Sequence, residues 1–224
     1  MNRDKREELL GVAARLFREK GYRATTMEDI AKEMNLTKAA LYYYVDSKHD
    51  LLYEICDSAI GNLLEGVREI AARDLPPLEK LRELIVWHVS MFSRYGDFIN
   101  VYLADEAELE KEKRKHMRSL SREFEEVYRE VLKEAVAKGD FRPLDVPMAV
   151  RAISGMCNWL SVWYRPEGEM SAERIAEIFY DLVVKGCAPR EDGGSWPAGK
   201  PRDAAARSRR RDGKEPPRRK KRGA

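Results

Sequence analysis

The sequence TMEDIAKEMNLTKAALYYYVDSK, residues 26–48, contains two short helix patterns separated by a tight turn. Thr26 is suited to cap the first helix, because its hydroxyl can accept a backbone N–H and Asp29 follows at the capping-box position. Asn35 favours the left-handed backbone that ends a helix, and Thr37 is placed to cap the next helix. Two helices joined by such a turn form a helix-turn-helix, whose second helix enters the DNA major groove.

The second of these helices has the side-chain chemistry of a DNA-binding element. It carries no acidic residue and offers hydroxyl groups and one ammonium on its outer side, and such groups bind phosphates and reach base edges. Ser47 is placed to cap a further helix, whose free N–H groups would bind another phosphate. A capped helix pair also occurs in ordinary helical cores, but three successive caps favour DNA binding. The predicted DNA-contacting residues are Thr26, Thr37, Lys38, Ala39, Tyr42, Tyr43 and Lys48.

The preceding stretch, LFREKGYRATTMEDIAKEM over residues 16–34, extends this pattern. Together they contain F-x-x-x-G-[YF], then T-[ST]-[MV]-x-x-I-A, then a close variant of L-Y-Y-[HY]-F-x-[ST]-K-x-x-L. The matching residues are Phe17, Gly21, Tyr22, Thr25, Thr26, Met27, Ile30, Ala31, Leu41, Tyr42, Tyr43, Lys48 and Leu51. Tyr44 and Val45 depart from the usual histidine and phenylalanine. This quarter of the chain resembles the N-terminal domain of the tetracycline-repressor (TetR) family, which implies a helix-turn-helix repressor.

The composition of the whole chain indicates an all-α protein. Of 224 residues, 43% are hydrophobic and 36% are charged, as in amphipathic helices, and strand signals such as Asn-Gly hairpins are missing. We predict about nine helices, in a three-helix DNA-binding domain over residues 1–48 and a ligand-binding and dimerisation domain over residues 49–188. Beyond the helix-turn-helix pair, the predicted helices cover residues 3–20, 47–73, 77–94, 98–107, 110–138, 147–164 and 171–186.

The C-terminal segment differs from the rest in charge. Residues 190–224 contain 13 basic and 5 acidic residues, whereas the preceding residues carry a net charge of −5. With no apolar periodicity, residues 189–224 are predicted to be a disordered basic tail. Its arginine and lysine runs either add non-specific DNA affinity by counterion release or are simply solvated.

Enzymatic, metal and membrane functions receive no support from the sequence. The three cysteines lack zinc-site or disulfide spacing. No nucleophile elbow or phosphate-cradling glycine loop occurs, so we expect no catalytic residues and no cofactor. His88, on an apolar face, is expected to be a satisfied core histidine rather than a metal ligand. With a charged N-terminus and no long apolar stretch, we expect a cytoplasmic protein without a membrane partner.

The last two helices predict a homodimer. The helix over residues 147–164 is apolar on most faces, and the helix over residues 171–186 has an apolar stripe. One chain cannot easily bury both, so we predict that they pair with a second copy in a four-helix bundle, the alternative being a monomeric core. Two recognition helices would then read a palindromic operator with half-sites about 34–36 Å apart, or a multiple of this.

The stretch GMCNWLSVWYRPEGEMS, residues 155–171, resembles a TetR subgroup with the pattern G-[ML]-x-N-W-x-x-x-W-[YF]-R-P-x-G-x-[LM]-S. That subgroup includes acyl-CoA-responsive repressors of fatty-acid and sterol-ring degradation. The resemblance implies a long-chain acyl-CoA effector, with its acyl chain in an apolar tunnel and its phosphates near arginines. The alternative is a planar, drug-like effector of the kind that releases efflux regulators. The predicted ligand-binding residues are Phe92, Tyr102, Phe124, Tyr128, Arg151, Trp159, Trp163 and Arg165.

Overall fold

The structure, a computed structural model, describes residues 3–188, and within this range all regular structure is helical. The all-α prediction is therefore confirmed, whereas the predicted tail over residues 189–224 lies outside the described residues. The elements are α1 (Arg3–Lys20), α2 (Met27–Glu33), α3 (Lys38–Leu41), α4 (Lys48–Ala71), α5 (Pro77–Asp105), a 3-10 turn (Glu106–Glu108), α6 (Lys111–Ala137), α7 (Val146–Asn158), α8 (Leu160–Trp163) and α9 (Ala172–Cys187).

The caps at the start of the helix-turn-helix form as the sequence predicts. The Asp29 backbone N–H donates to the Thr26 hydroxyl at 3.1 Å, and the Asp29 carboxylate accepts the Thr26 backbone N–H at 2.9 Å. Asn35 adopts a positive φ of 54° in the turn, and the Thr37 hydroxyl accepts the Ala40 N–H at 3.1 Å. Leu41, fully buried, anchors α3 to the core and so fixes which face of α3 is exposed.

Helix α4 connects the DNA-binding helices to the larger helical body, where it packs against α5 and α6. Its Gly66 permits a close approach, because a Cβ atom there would lie 2.0 Å from the Trp87 ring. The Trp87 indole N–H donates to the Leu63 carbonyl at 3.0 Å, which holds α5 against α4. None of the helices within residues 3–188 is both long and apolar enough to cross a lipid bilayer.

Two predicted helix boundaries differ from the structure. The predicted helices over residues 77–94 and 98–107 form one element, α5, which bends at Tyr95 (φ −132°, ψ 30°) instead of ending near Gly96. Burial of Phe92 and Ile99 on either side of the bend outweighs the low helix propensity of glycine. The predicted helix over residues 147–164 divides into α7 and α8 at Trp159, whose carbonyl accepts the Val162 N–H in a tighter turn.

Candidate DNA-binding surface and effector pockets

The outer face of α3 presents the side chains expected of a recognition helix. Lys38 and Ala39 are exposed on α3 itself, and Tyr42 and Tyr43, 43% and 81% exposed, follow directly in the turn that ends the helix. The Lys38 ammonium forms an exposed ion pair with Glu28 of α2. Because exposed ion pairs are weak, a DNA phosphate can replace Glu28 as the partner of Lys38.

The two predicted threonines lie at the helix ends of this surface. The hydroxyls of Thr26 and Thr37 accept backbone N–H groups, so both side chains shape α2 and α3 in the free protein. The hydrogen bond from the Thr26 side chain is the largest cause of a strongly lowered pKa of the Asp29 carboxyl, which keeps that cap ionised. Both threonines are exposed and remain on the surface that carries α3.

The Lys48 side chain forms hydrogen bonds within the protein. Its ammonium donates to the carbonyl oxygens of Tyr22 at 3.0 Å and Thr25 at 2.9 Å, and to that of Arg23 at 3.4 Å. It also lies 4.5 Å from the centre of the Tyr22 ring. These contacts direct the side chain into the loop between α1 and α2, where it satisfies carbonyl groups that follow the end of a helix. In this arrangement Lys48 stabilises the DNA-binding domain, and its contact with a phosphate stays a prediction.

Ion pairs connect the DNA-binding helices to the end of α5 and to α6. Arg18 of α1 lies 2.8 Å from Asp97, just after the α5 bend, and Arg23 lies 2.9 Å from Glu108 in the 3-10 turn. At the start of α4, Asp50 lies 2.6 Å from Lys113 of α6, whose ammonium lowers the pKa of that carboxyl. Sequence reasoning did not predict these pairs, because their members are far apart in the chain.

A cleft of about 870 Å³ lies between the end of α1, the α5 bend and the α8 region. Three arginines line it: Arg18, Arg94 and Arg165. Its apolar wall includes Phe92 and Leu160. The cleft thus combines an apolar wall with groups that bind phosphate bidentately.

A smaller cavity of about 210 Å³ lies among α4, α5, α6 and α7. Leu103 lines both this cavity and the cleft, so the two spaces adjoin at that side chain. The remaining lining is largely apolar on the α4 side and polar on the α7 side, and it consists of Ala59, Ile60, Leu63, His88, Ile99, Tyr102, Ser121, Phe124, Glu125, Ser154 and Asn158.

His88 is the most unusual of these lining residues. It is 2% exposed and stands among Phe92, Phe124 and Tyr128. Burial lowers the pKa of His88 to about 4, so the ring is neutral near pH 7. Its Nε2 lies 3.0 Å from Asn158 Oδ1, whereas Nδ1 has no hydrogen-bond partner among residues 3–188. The expectation of a buried core histidine describes its position but not this orphaned nitrogen.

Five of the predicted ligand-binding residues lie in or beside these two spaces. Phe92 and Arg165 line the cleft, and Tyr102 and Phe124 line the cavity. Tyr128 is fully buried beside the cavity, and its hydroxyl donates to the Leu84 carbonyl at 2.8 Å, as expected of a core residue.

Arg151, Trp159 and Trp163 line neither of these two spaces, so their contact with a ligand stays a prediction. Arg151 is exposed, and the two tryptophans are 61% and 40% exposed. Helices α7 and α8 direct smaller apolar side chains inward, which turns these three outward. Sequence reasoning missed Leu103, Ser154 and Asn158 as lining residues, although Asn158 lies within the N-W pair of the quoted pattern.

The outward tryptophans belong to an exposed apolar face on α7, α8, α9 and the loop before α9. We call it the α7–α9 face, and its large exposed members are Met148, Trp159, Val162, Trp163, Met170 and Leu182. These side chains come from neighbouring segments of the chain, and a large exposed apolar patch marks an interaction site in a folded protein.

Within residues 3–188, no group of three His, Cys, Asp or Glu side chains is arranged to hold a metal ion. In the 3-10 turn that follows α5, Glu108 pairs with Arg23. Burial raises the pKa of Asp105, with the nearby Glu108 carboxylate as a second cause.

Comparisons with known proteins agree with this architecture. Residues 9–55 match the family model described as bacterial regulatory proteins, tetR family, and residues 74–187 match the tetracyclin repressor-like, C-terminal domain. Over 187 residues the chain is 32% identical to the HTH-type transcriptional repressor KstR2 of Rhodococcus jostii (strain RHA1), covering 82% of this chain and 91% of the relative.

Two solved structures extend the comparison. The TetR family transcriptional regulator PfmR from Thermus thermophilus has a TM-score of 0.75 and 37% identity, with 79% of this chain and 97% of that chain covered. AibR in complex with isovaleryl coenzyme A and operator DNA has a TM-score of 0.73 and 26% identity, with 80% and 98% covered. Regulators of this family bind operator DNA as dimers and are not enzymes. The chain belongs to the TetR family of helix-turn-helix transcriptional repressors.

Proposed function

We propose that this repressor binds a palindromic operator as a homodimer, is released by a coenzyme A thioester, and controls fatty-acid or lipid degradation genes. One observation carries the proposal: an arginine-lined cleft and a largely apolar cavity adjoin at Leu103. A ligand with an anionic end and an apolar end suits this pair of spaces, and a CoA thioester has both. Similarity to KstR2 and to AibR, solved with isovaleryl coenzyme A, supports the same ligand class.

The phosphate-bearing part of the ligand is assigned to the cleft. Arg165 and Arg94 stand on the α8 and α5 sides, and Arg18 extends from α1. Arginine is suited to this task, because its planar guanidinium binds phosphate oxygens bidentately and keeps its charge at all relevant pH values.

The acyl part is assigned to the cavity, whose volume favours a short group. The cavity measures about 210 Å³, against about 870 Å³ for the cleft. A short group differs from the long acyl chain implied by the subgroup resemblance. We propose that a short or branched acyl group binds best.

Release is proposed to pass through the segment that follows the α5 bend. Ile99 and Tyr102 of this segment line the cavity, while Asp97 pairs with Arg18 of α1. A ligand phosphate at Arg18 would compete with Asp97, and an acyl group would displace the segment itself. Both effects favour a second arrangement of the DNA-binding domain, and the ligand shifts the equilibrium by its differential affinity for the two arrangements.

The second copy is proposed to cover the α7–α9 face. In a four-helix bundle, Trp159 and Trp163 would be buried in the interface. Burial of each large aromatic side chain would contribute substantially to the free energy of dimerisation. The dimer would set the two copies of α3 one DNA turn apart, or a multiple of this.

The proposal is tested by operator release with a graded series of thioesters. The full-length protein is bound to labelled DNA from upstream of its own gene. It is then titrated with CoA thioesters of four, six, eight, twelve and sixteen carbons, with free CoA and free fatty acids as controls. We expect release by the shorter thioesters and by neither half alone, with thermal stabilisation of about 2.7 kcal/mol at 100 times the dissociation constant.

A matched pair of variants tests whether the cleft binds the phosphate-bearing part of the ligand. Arg165→Ala should weaken thioester binding, whereas Arg151→Ala, on the exposed surface of α7, should leave it unchanged. If no thioester stabilises the protein or releases DNA, the effector proposal is wrong while the assignment to the repressor family stands.

A further inference from the structure

The cavity contains two buried polar atoms that lack partners within residues 3–188. One is His88 Nδ1 and the other is Ser154 Oγ. Both residues line the cavity, His88 from α5 and Ser154 from α7. A buried polar atom without a partner costs free energy, so native proteins rarely keep two of them around one small space without a use.

The chemistry of these atoms is defined by their neighbours. The neutral His88 ring has one N–H, and Nε2 faces the Asn158 carbonyl oxygen at 3.0 Å, so Nε2 carries the proton. Nδ1 is then an acceptor that requires a donor. Ser154 Oγ can donate or accept.

Two other polar side chains of the cavity are partnered. The Tyr102 hydroxyl is hydrogen-bonded to Ser121, and the Ser121 hydroxyl is also within 2.9 Å of the Met117 carbonyl. Among the described residues that line the cavity, His88 Nδ1 and Ser154 Oγ are the buried side-chain atoms that lack a hydrogen-bond partner.

We infer that the cavity recognises an acyl group bearing a hydroxyl, which donates to His88 Nδ1 and accepts from Ser154. A hydroxyl can fill both roles at once, whereas a ketone can only accept and an alkyl group can do neither. This inference rests on the proposed CoA-thioester effector and names its chemical class: a short hydroxyacyl thioester.

The test compares hexanoyl-CoA with three hydroxyhexanoyl-CoA isomers, which carry the hydroxyl on the third, fifth or terminal carbon. Dissociation constants are measured by calorimetry on the full-length protein, together with operator release. We expect at least one hydroxyl isomer to bind about tenfold more tightly than hexanoyl-CoA, the gain of one well-placed buried hydrogen bond. The thioester with a keto group at the same carbon should gain less affinity, because a ketone cannot donate a hydrogen bond to Nδ1.

Variants assign the preference to the two atoms. His88→Leu should abolish the advantage of the hydroxyl isomer while retaining hexanoyl-CoA binding. Ser154→Ala should reduce that advantage and serves as the independent test if His88→Leu fails to fold. Ser119→Ala, exposed on α6 and outside both the cleft and the cavity, is the matched control and should keep the full preference.

The possible outcomes distinguish the hydroxyl inference from the thioester proposal. If hexanoyl-CoA binds and releases DNA but no hydroxyl isomer exceeds it, the hydroxyl inference is overturned and the thioester proposal stands. If a hydroxyl isomer is preferred equally by the wild type and both variants, the His88–Ser154 assignment is overturned. If no thioester binds, both fall together.

Discussion

Replacing Lys48 by methionine distinguishes a structural lysine from a DNA-contacting one. In the structure its ammonium donates to two carbonyl groups at 2.9 and 3.0 Å in the loop between α1 and α2, with a longer contact at 3.4 Å. Hydrogen bonds that involve a charged group contribute about 1.5–3 kcal/mol when buried. Because Lys48 is only half-buried, we expect Lys48→Met to lower the free energy of unfolding by about 1–3 kcal/mol in total.

The matched variant is Lys38→Met on α3, whose ammonium is exposed and paired with Glu28 in the free protein. If Lys38 contacts a phosphate, its loss lowers the slope of log affinity against log salt by about 0.9 for each subunit. Lys48→Met should leave that slope unchanged, because its ammonium faces carbonyl groups and not DNA.

The assays are thermal unfolding and fluorescence anisotropy of operator DNA over a range of salt concentrations. For a chain of this size, each kcal/mol corresponds to a shift of about 2–4 °C in Tm. The reasoning is refuted if Lys48→Met reduces the salt slope as much as Lys38→Met while Tm stays at the wild-type value. Loss of DNA binding by Lys48→Met with an unchanged slope and a lower Tm supports it.

Burial and packing lead to three more expected outcomes. Gly66→Ala should destabilise the fold by about 1–3 kcal/mol in chemical denaturation, because its Cβ would lie 2.0 Å from the Trp87 ring, and Gly61→Ala, with open space around it, should not. The unfolded chain takes up a proton at His88 below its ordinary pKa of 6.5, whereas the folded chain does so only near 4. The free energy of unfolding should therefore fall by about 3 kcal/mol as the pH decreases from 6.5 to about 4. In urea titrations, a His88→Leu protein should lack this contribution to the pH dependence. Trp159→Asp should yield monomers in sedimentation velocity and lose operator affinity, and retention of a wild-type dimer would contradict the assignment of the α7–α9 face.

The sequence was sufficient for the features that depend on local chemistry. The Thr26 and Thr37 caps and the left-handed Asn35 follow from residue type and spacing, because a cap or turn is decided within a few residues. The exposed tyrosines directly after α3 follow for the same reason. The helical periodicity of the body followed for the same reason. Boundaries failed where tertiary packing decided the outcome, as at the α5 bend, where burial on both sides kept one helix continuous.

Side-chain direction within the body could not be obtained in the same way. Helices α7 and α8 are apolar on most faces, so the pattern does not say which face meets the chain's own core and which meets another surface. The prediction assigned Trp159 and Trp163 to the ligand pocket because a buried tryptophan usually needs a partner for its N–H. The structure turns Ile153, Cys157 and Leu160 inward instead and leaves the tryptophans outside.

The cavity was beyond sequence reasoning for a related reason: its lining residues come from four helices. His88 and Asn158 are 70 positions apart, and only the packing of α5 against α7 brings their side chains within 3.0 Å. The same packing leaves His88 Nδ1 without a hydrogen-bond partner among residues 3–188. A local sequence pattern cannot predict an unpaired atom of this kind. A histidine on an apolar face resembles ordinary core until its two nitrogens are considered separately.

The position of the α5 bend explains how one element can serve both the effector and DNA. The segment after Tyr95 is bounded by two ion pairs to the DNA-binding domain, Asp97 with Arg18 and Glu108 with Arg23. Between them, Leu103 separates the cleft from the cavity. A straight helix would transmit a displacement of this segment into the rest of α5, which is held to α4 through Trp87 and its hydrogen bond to Leu63. Under the release mechanism that we propose, the bend would let the segment move relative to that fixed half, so that the free energy of ligand binding would act on α1 through these ion pairs.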